Sequence, residues 1–285
     1  MEPLDTRLLI VTGKGGVGRS AAAAAFAIAA ARRSKRVLAI AMTDAAGLAV
    51  HLGRPTLKYR ATQIAPNLSA MSIDRARALD EYLKLQLGIG GRAPLLPISR
   101  GLEAMAETVP GIRDVITMGK VLFEVQSNEW DLVVADGPAT GQIMSYLQAP
   151  RTVAGLIPGG RARRQADTMT ETLAAADTAL AMVTLAEELP VTETLEALSE
   201  LAKENPIQLA GIWANRLIEP LGVSETSLEQ VTSVAARNAG LLHRGLYENQ
   251  RRWRKYLPEH HRLPFLFGVH DPSRVASLLA DEIVA

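Results

Sequence analysis

Cysteine is missing from all 285 residues. Its absence excludes disulfides, thiolate metal sites, thiol nucleophiles and thiol redox switching in one step. An excess of charge is missing too: 31 lysines and arginines face 30 aspartates and glutamates, a formal net charge of +1. The chain as a whole offers no general attraction to nucleic acid or anionic membrane, and a partner of that kind would need a local patch. The longest apolar run, Ala21 to Ala31, is too short to span a bilayer and is alanine-rich, as tightly packed helices often are. The opening MEPLDTRLLIVTGKGG lacks a basic region followed by an apolar stretch of the signal-peptide kind, and its apolar run is strand-sized and ends in glycines. A soluble, cytoplasmic protein is expected. Internal repeats and low-complexity segments are absent. The five histidines form no helix-spaced metal pattern and are assigned no chemistry.

What is present is an alternation. Short β-branched or aliphatic runs recur at Leu8–Thr12, Val37–Ala41, Leu68–Ile73, Asp131–Ala135, Leu180–Leu185, Gln208–Ala214 and Pro264–Phe267, with helical segments between them. Several runs are apolar throughout, as strands buried on both faces are. The expected fold class is α/β: a doubly wound, mostly parallel sheet with helical insertions. Residues 1–285 read as a single domain with two helical inserts, about 75–126 and about 151–177. In the first, Leu79, Tyr82, Leu83 and Leu87 share a helix face, and Ala104, Met105, Val109, Ile112, Val115, Ile116 and Val121 continue the pattern. The inserts form either a function-specific surface or an extra helical layer burying its own core.

The chemistry begins at Gly13-Lys14-Gly15-Gly16-Val17-Gly18-Arg19-Ser20, which follows a strand and opens an alanine-rich helix. This is the context a phosphate loop requires. Glycines let backbone N–H groups turn inward around phosphate oxygens, the helix N-terminus adds a favourable dipole, and the Ser20 hydroxyl is placed to ligate Mg²⁺. ATP or ADP with Mg²⁺ is the expected ligand. The residue before the serine is ordinarily lysine, and here it is Arg19, which keeps the charge but is longer and presents a rigid planar fork. A second element, Leu132-Val-Val-Ala-Asp136-Gly-Pro138-Ala-Thr140-Gly141, is a hydrophobic strand ending in an acid that would hold Mg²⁺ through water.

With Lys14 early in the loop, the sequence resembles the deviant Walker A family, whose pattern is KGGVGK[ST]. That family includes the arsenical-pump ATPase, the tail-anchored-protein targeting factor, MinD, ParA and nitrogenase iron protein, all of the SIMIBI type of P-loop fold. The Asp136 segment resembles the DTAPTGH switch of the arsenical-pump and targeting branch, with Gln142 in place of histidine. The stretch Val109-Pro110-Gly111-Ile112-Arg113-Asp114 and the Glu187-Glu188-Leu189-Pro190 turn are similar to the shorter bacterial members that occur as unequal pairs. The resemblance implies that Lys14 reaches a partner subunit's nucleotide, and hence a homodimer or a heterodimer with a related ATPase.

It also implies that Asp44, closing the second strand where the branch carries DPAH, orients the attacking water. Ala45-Ala46-Gly47 departs from that pattern, and Asp44 reads equally as a helix cap. Asn215 stands where the superfamily places an adenine-reading asparagine, an amide suited to adenine's donor and acceptor edge; otherwise it is a turn former. Without cysteine, neither the pump's metalloid site nor the targeting factor's CxxC zinc clasp exists, so arsenite is not the expected effector.

The function implied is an ATP-hydrolysing dimeric switch whose inserts meet a partner or client. Its rival is a regulatory nucleotide-binding subunit, weakened by Arg19 and paired with a catalytically complete homologue. A MinD- or ParA-like positioning protein ranks last, because the C-terminal segment from Val275 carries no basic amphipathic face. Two basic tracts, Arg161–Arg164 and Arg251–Lys255 with interleaved aromatics, read as solvated helix faces or as polyanion contacts.

Overall fold

The apolar runs from Leu8 to Ala214 all supply strands of one eight-stranded sheet. The computed structural model describes residues 2–87, 111–156, 158–204 and 206–284. The strands are β1 (Leu8–Gly13), β2 (Val37–Ala41), β3 (Thr62–Ala65), β4 (Leu68–Ser72), β5 (Leu132–Asp136), β6 (Thr178–Leu185), β7 (Gln208–Leu217) and β8 (His261–Pro264). Their order is β3-β4-β2-β5-β1-β6-β7-β8, parallel throughout except for the antiparallel β3/β4 pair. The mostly parallel α/β expectation holds.

Two edge strands differ from the sequence reading. β3 is polar and largely exposed and shows no apolar run, so it carries no strand signal; Asn67, at φ 59°, makes the tight turn that folds it against β4. β8 occupies His261–Pro264 rather than Pro264–Phe267. Its partner β7 pairs it at His261, Arg262 and Pro264, and the side chains of Phe265 and Phe267 are exposed. Phe265 N–H still donates to the Leu217 carbonyl at 2.8 Å and Leu266 packs against the core, so only the two phenylalanine rings of that run are exposed.

Helix α1 (Arg19–Arg32) is buried around most of its circumference, with Ala21 through Ala27 all enclosed. Alanine has no bulk beyond Cβ, so the helix lies close to the sheet on one side and to α10 (Pro272–Val284) on the other. Alternation along β1 divides the core: Leu9 and Val11 face α1, and Leu8 and Ile10 face the opposite layer. That layer is built by α4 (Ile112–Gln126), α5 (Thr140–Leu156), α6 (Arg161–Ala174) and α7 (Glu188–Glu204). Helices α2 (Ala45–His51), α3 (Arg75–Leu87), α8 (Glu225–Glu229) and α9 (Val234–Arg254) complete the described set.

The first insert thus contributes α3 and α4, with Leu79 and Val121 buried. The expected apolar positions Ala104, Met105 and Val109 lie outside the described residues, as do the side chains of Leu83, Leu87 and Ile112. The second contributes α6 and the end of α5, a helix that starts before the insert, at Thr140, and runs through Pro150. Arg163 pairs with Asp167 on α6, and Trp253 near the end of α9 packs against a small cluster with Leu217 and Leu257.

A polar cluster ties α3 to α4. Lys120, buried, donates to Glu81 at 2.8 Å and pairs with Glu124 at 2.9 Å, and the Tyr59 hydroxyl donates to Glu81 at 2.5 Å. Burial pushes the Glu81 carboxyl up, but hydrogen bonds from Lys120 and Tyr59 outweigh it and hold the group below its ordinary 4.5. A depressed carboxyl contributes stability above its unfolded value and loses it as pH falls through the folded one. Stability is therefore expected to decline as pH drops below about 4.5, and Glu81→Gln should flatten that limb of the curve. Denaturant titrations of both chains between neutral and acid pH measure it.

Candidate functional site

β1 and β5 lie side by side at the centre of the sheet, and their carboxyl ends deliver the two motifs to one place. In open α/β sheets ligands bind at that end, beside the strand where the order reverses. β1 runs into the loop and α1 begins at Arg19, with Gly18 at its N-cap. Gly16 and Gly18 have φ of +86° and +90°, the left-handed region that favours glycine. Gly13 is required for a different reason: a Cβ there would lie 2.2 Å from the Val183 carbonyl oxygen of β6.

Asp136 ends β5 almost fully enclosed, at 3% exposure. Its Oδ2 accepts a hydrogen bond from Ser20 Oγ at 2.6 Å, and its Oδ1 accepts from Arg19 Nε at 3.2 Å. Arg19 also donates from Nη1 to the Gly13 carbonyl at 3.4 Å. Burial raises the Asp136 carboxyl above its ordinary range, against the Ser20 hydrogen bond and the Arg19 charge, with a smaller opposing effect from His51. Backbone bonds brace the acid: Met42 N–H donates to the Asp136 carbonyl at 3.1 Å, and Gly137 N–H to Val11 at 2.9 Å. The Thr12 hydroxyl adds a bond to the Pro138 carbonyl at 2.8 Å. Hydroxyl and carboxylate oxygens at this separation are the hard donors Mg²⁺ takes, and the cations beside a glycine loop suit polyphosphate; the residues fit Mg²⁺ with ATP or ADP.

Asp44 caps α2, its Oδ1 accepting from Ala46 N–H at 2.9 Å. The same turn of α2 approaches the loop so closely that a Cβ on Gly47 would lie 2.7 Å from Ser20 Oγ. Asp44 is thereby brought to the Ser20 end of the sheet, exposed and capping at once. Gly47 was not legible as a site residue; in the sequence it appears only as a loss of the expected switch pattern.

Asn215, 3% exposed near the end of β7, donates from Nδ2 to the Val17 carbonyl at 2.8 Å and accepts at Oδ1 from Arg216 N–H at 2.9 Å. Its amide sits where a Cβ on Gly18 would collide, 2.3 Å from Nδ2. These two bonds use one hydrogen of Nδ2 and one lone pair of Oδ1. Lys14, at the loop rim, is ion-paired with Glu193 of α7, a partner that no sequence motif indicates. The structure thus gathers Gly13 to Ser20, Asp44, Asp136 and Asn215 around one end of the sheet. Among the described residues no cluster of three or more histidines, aspartates or glutamates forms a further metal site.

Residues 6–171, more than half of the chain, match the family described as "Anion-transporting ATPase". ATPase BagA of Mycobacterium tuberculosis (strain H37Rv) is 35% identical over 257 residues, covering 84% of this chain and 74% of the relative. ATPase get3 of Aspergillus niger is 27% identical over 258 residues, covering 77% of this chain and 75% of its own length. ATPase get3 of Schizosaccharomyces japonicus is 30% identical over a shorter 153 residues, 53% of this chain and 46% of the relative. By that match and these identities, with the glycine loop and the acid-ended strand that the parallel sheet brings together, this chain belongs to the anion-transporting ATPase family.

Proposed function

We propose that the protein binds Mg·ATP in the Gly13–Ser20 loop and hydrolyses it as a nucleotide-dependent dimer. The single observation that carries the proposal is the Ser20 hydroxyl 2.6 Å from the buried Asp136 carboxylate at the mouth of a glycine loop. In this reading Ser20 and Asp136 would hold the metal, Ser20 directly and Asp136 through water. Mg²⁺, when bound, supplies the charge neutralisation that phosphoryl transfer needs. The amides of Gly15, Gly16, Val17 and Gly18 would cradle phosphate oxygens, and Arg19 would add its charge once it leaves Asp136. Asp44 orients a water for attack on the terminal phosphorus, releasing phosphate and ADP. Positioning and charge, rather than covalent chemistry, carry the rate. Asn215 braces the loop and turns its remaining amide valences to adenine. Lys14 offsets charge on the partner's nucleotide, and the helical inserts present the surface for a partner or client.

The second reading, a regulatory subunit with little turnover, is favoured by one contact. Arg19 is committed to Asp136, so the loop cation engages the acid that should serve the metal. Calorimetric titration of the purified chain with Mg·ATP, with phosphate release followed on the same sample, separates the two. Binding with turnover is the expected result. Arg19→Lys should raise phosphate release on the order of tenfold, because a compact ammonium reaches the transferring group where the planar fork is displaced. Tight binding with no turnover in either chain would make the regulatory reading correct, and absence of binding would overturn both. Among the described residues no helix is long and apolar enough to cross a membrane.

A further inference from the structure

The lysine assigned to a partner's nucleotide is already engaged within its own chain. Lys14 forms an ion pair with Glu193, a residue 179 positions later on α7. The other oxygen of the same carboxylate accepts from the Thr140 hydroxyl at 3.4 Å. Thr140 is the first residue of α5 and lies just beyond Asp136 in the Pro138-Ala139-Thr140-Gly141 segment. One acid therefore joins the rim of the phosphate loop to the segment that follows the metal-side aspartate.

The acid is held firmly while the pair it forms is breakable. Val191 and Thr194 on either side of Glu193 are buried, and the Thr194 hydroxyl donates back to the Pro190 carbonyl at 2.7 Å, which fixes this turn of α7 against the core. The Lys14 and Glu193 side chains are 30% and 37% exposed. Water reaches both, so the pair holds an equilibrium by only a few fold. A polyphosphate offers several charged oxygens against the two of one carboxylate and draws an ammonium more strongly.

We propose that Glu193 is the positioning residue of Lys14. In a lone chain it keeps the ammonium in cis at the loop rim, and it surrenders Lys14 when a partner chain presents nucleotide. Once Lys14 leaves, Glu193 keeps only the Thr140 hydroxyl, so pairing of chains is reported to the segment beside Asp136. The part concerning release rests on the dimeric reading above; the cis hold does not.

The test uses the full chain and Glu193→Gln, with Glu193→Asp as the conservative partner. Reaction of lysine amines with an acylating reagent, read residue by residue by mass spectrometry in nucleotide-free protein, is expected to rise about three- to fivefold at Lys14 in Glu193→Gln. Lys35, Lys84 and Lys120 should be unchanged, and Glu193→Asp should return part of the protection. Unchanged Lys14 reactivity would overturn the cis hold. On the same samples, sedimentation with ATP is expected to show the variant assembling at a several-fold lower concentration than the parent, with no such shift in a Lys14→Ala background. A parent chain that assembles while Glu193→Gln assembles no better would overturn the release step. Raised Lys14 reactivity with no assembly in either chain would leave the cis hold standing, overturn the release step and refute the dimeric reading.

Discussion

Gly13→Ala is expected to cost the fold about 3 kcal/mol or more and to lower the thermal midpoint by roughly 6–12 °C. The added methyl would stand 2.2 Å from the Val183 carbonyl oxygen and 2.9 Å from Val17 Cγ2. Neither neighbour can retreat. Val183 pairs with Gly13 in the β1/β6 ladder, and Val17 is buried beneath the loop. Relief therefore means parting two central strands of a sheet whose core is close-packed, and overpacking of that kind is not absorbed by rotamer changes. Gly15→Ala is the control. Nothing lies within 4 Å of its added carbon, so the midpoint of the nucleotide-free chain should stay where it is. Differential scanning calorimetry of the three chains decides it, and equal midpoints for Gly13→Ala and the parent would show that the loop is not locked to β6 as described.

Asp44→Asn is expected to lower phosphate release by about 100-fold or more, while Mg·ATP affinity changes little. The two roles open to Asp44 make different demands on the side chain. Capping needs an acceptor oxygen facing the Ala46 N–H, and asparagine supplies it about as well as aspartate. Orienting a nucleophilic water for attack on a polyanion draws on the negative carboxylate, which asparagine lacks. The substitution therefore keeps α2, its buried Leu48 and the approach of Gly47 to Ser20, and removes only the charge. Single-turnover phosphate release and calorimetric binding on the same preparation give the answer. Unchanged turnover would reduce Asp44 to its cap.

What is legible in the sequence is what local physics decides. β1, β2 and β5 are continuous apolar runs buried on both faces, and they lie within a residue of their expected limits. The loop's glycines, Ser20 and Asp136 announce themselves by type and order along the chain. β3 was invisible because an edge strand needs no apolar residues, and β8 was misplaced because exposed phenylalanines imitate a buried run. At the site, the unread residues are those whose meaning depends on distance in space. Glu193 is one of several acids on α7, and only the fold brings it to Lys14. Gly47 has the look of an eroded motif until the added carbon is built and meets Ser20. Arg19 stands out in the sequence as a substitution, but its bond to Asp136 depends on β1 lying beside β5.

The seat of α1 has a consequence for the order of events at synthesis. Arg32, at the end of the helix that the phosphate loop opens, bonds to Ser277 and to Asp281, the latter 249 residues downstream. A ribosome that has finished α1 has therefore not yet made the helix that packs against it. The alanine face turned toward α10 stays wet, or in a chaperone's keeping, until that late segment emerges. The seat of α1 is then completed only after α10 has been made, long after the loop itself, so an unfinished chain carries the motif without its seat.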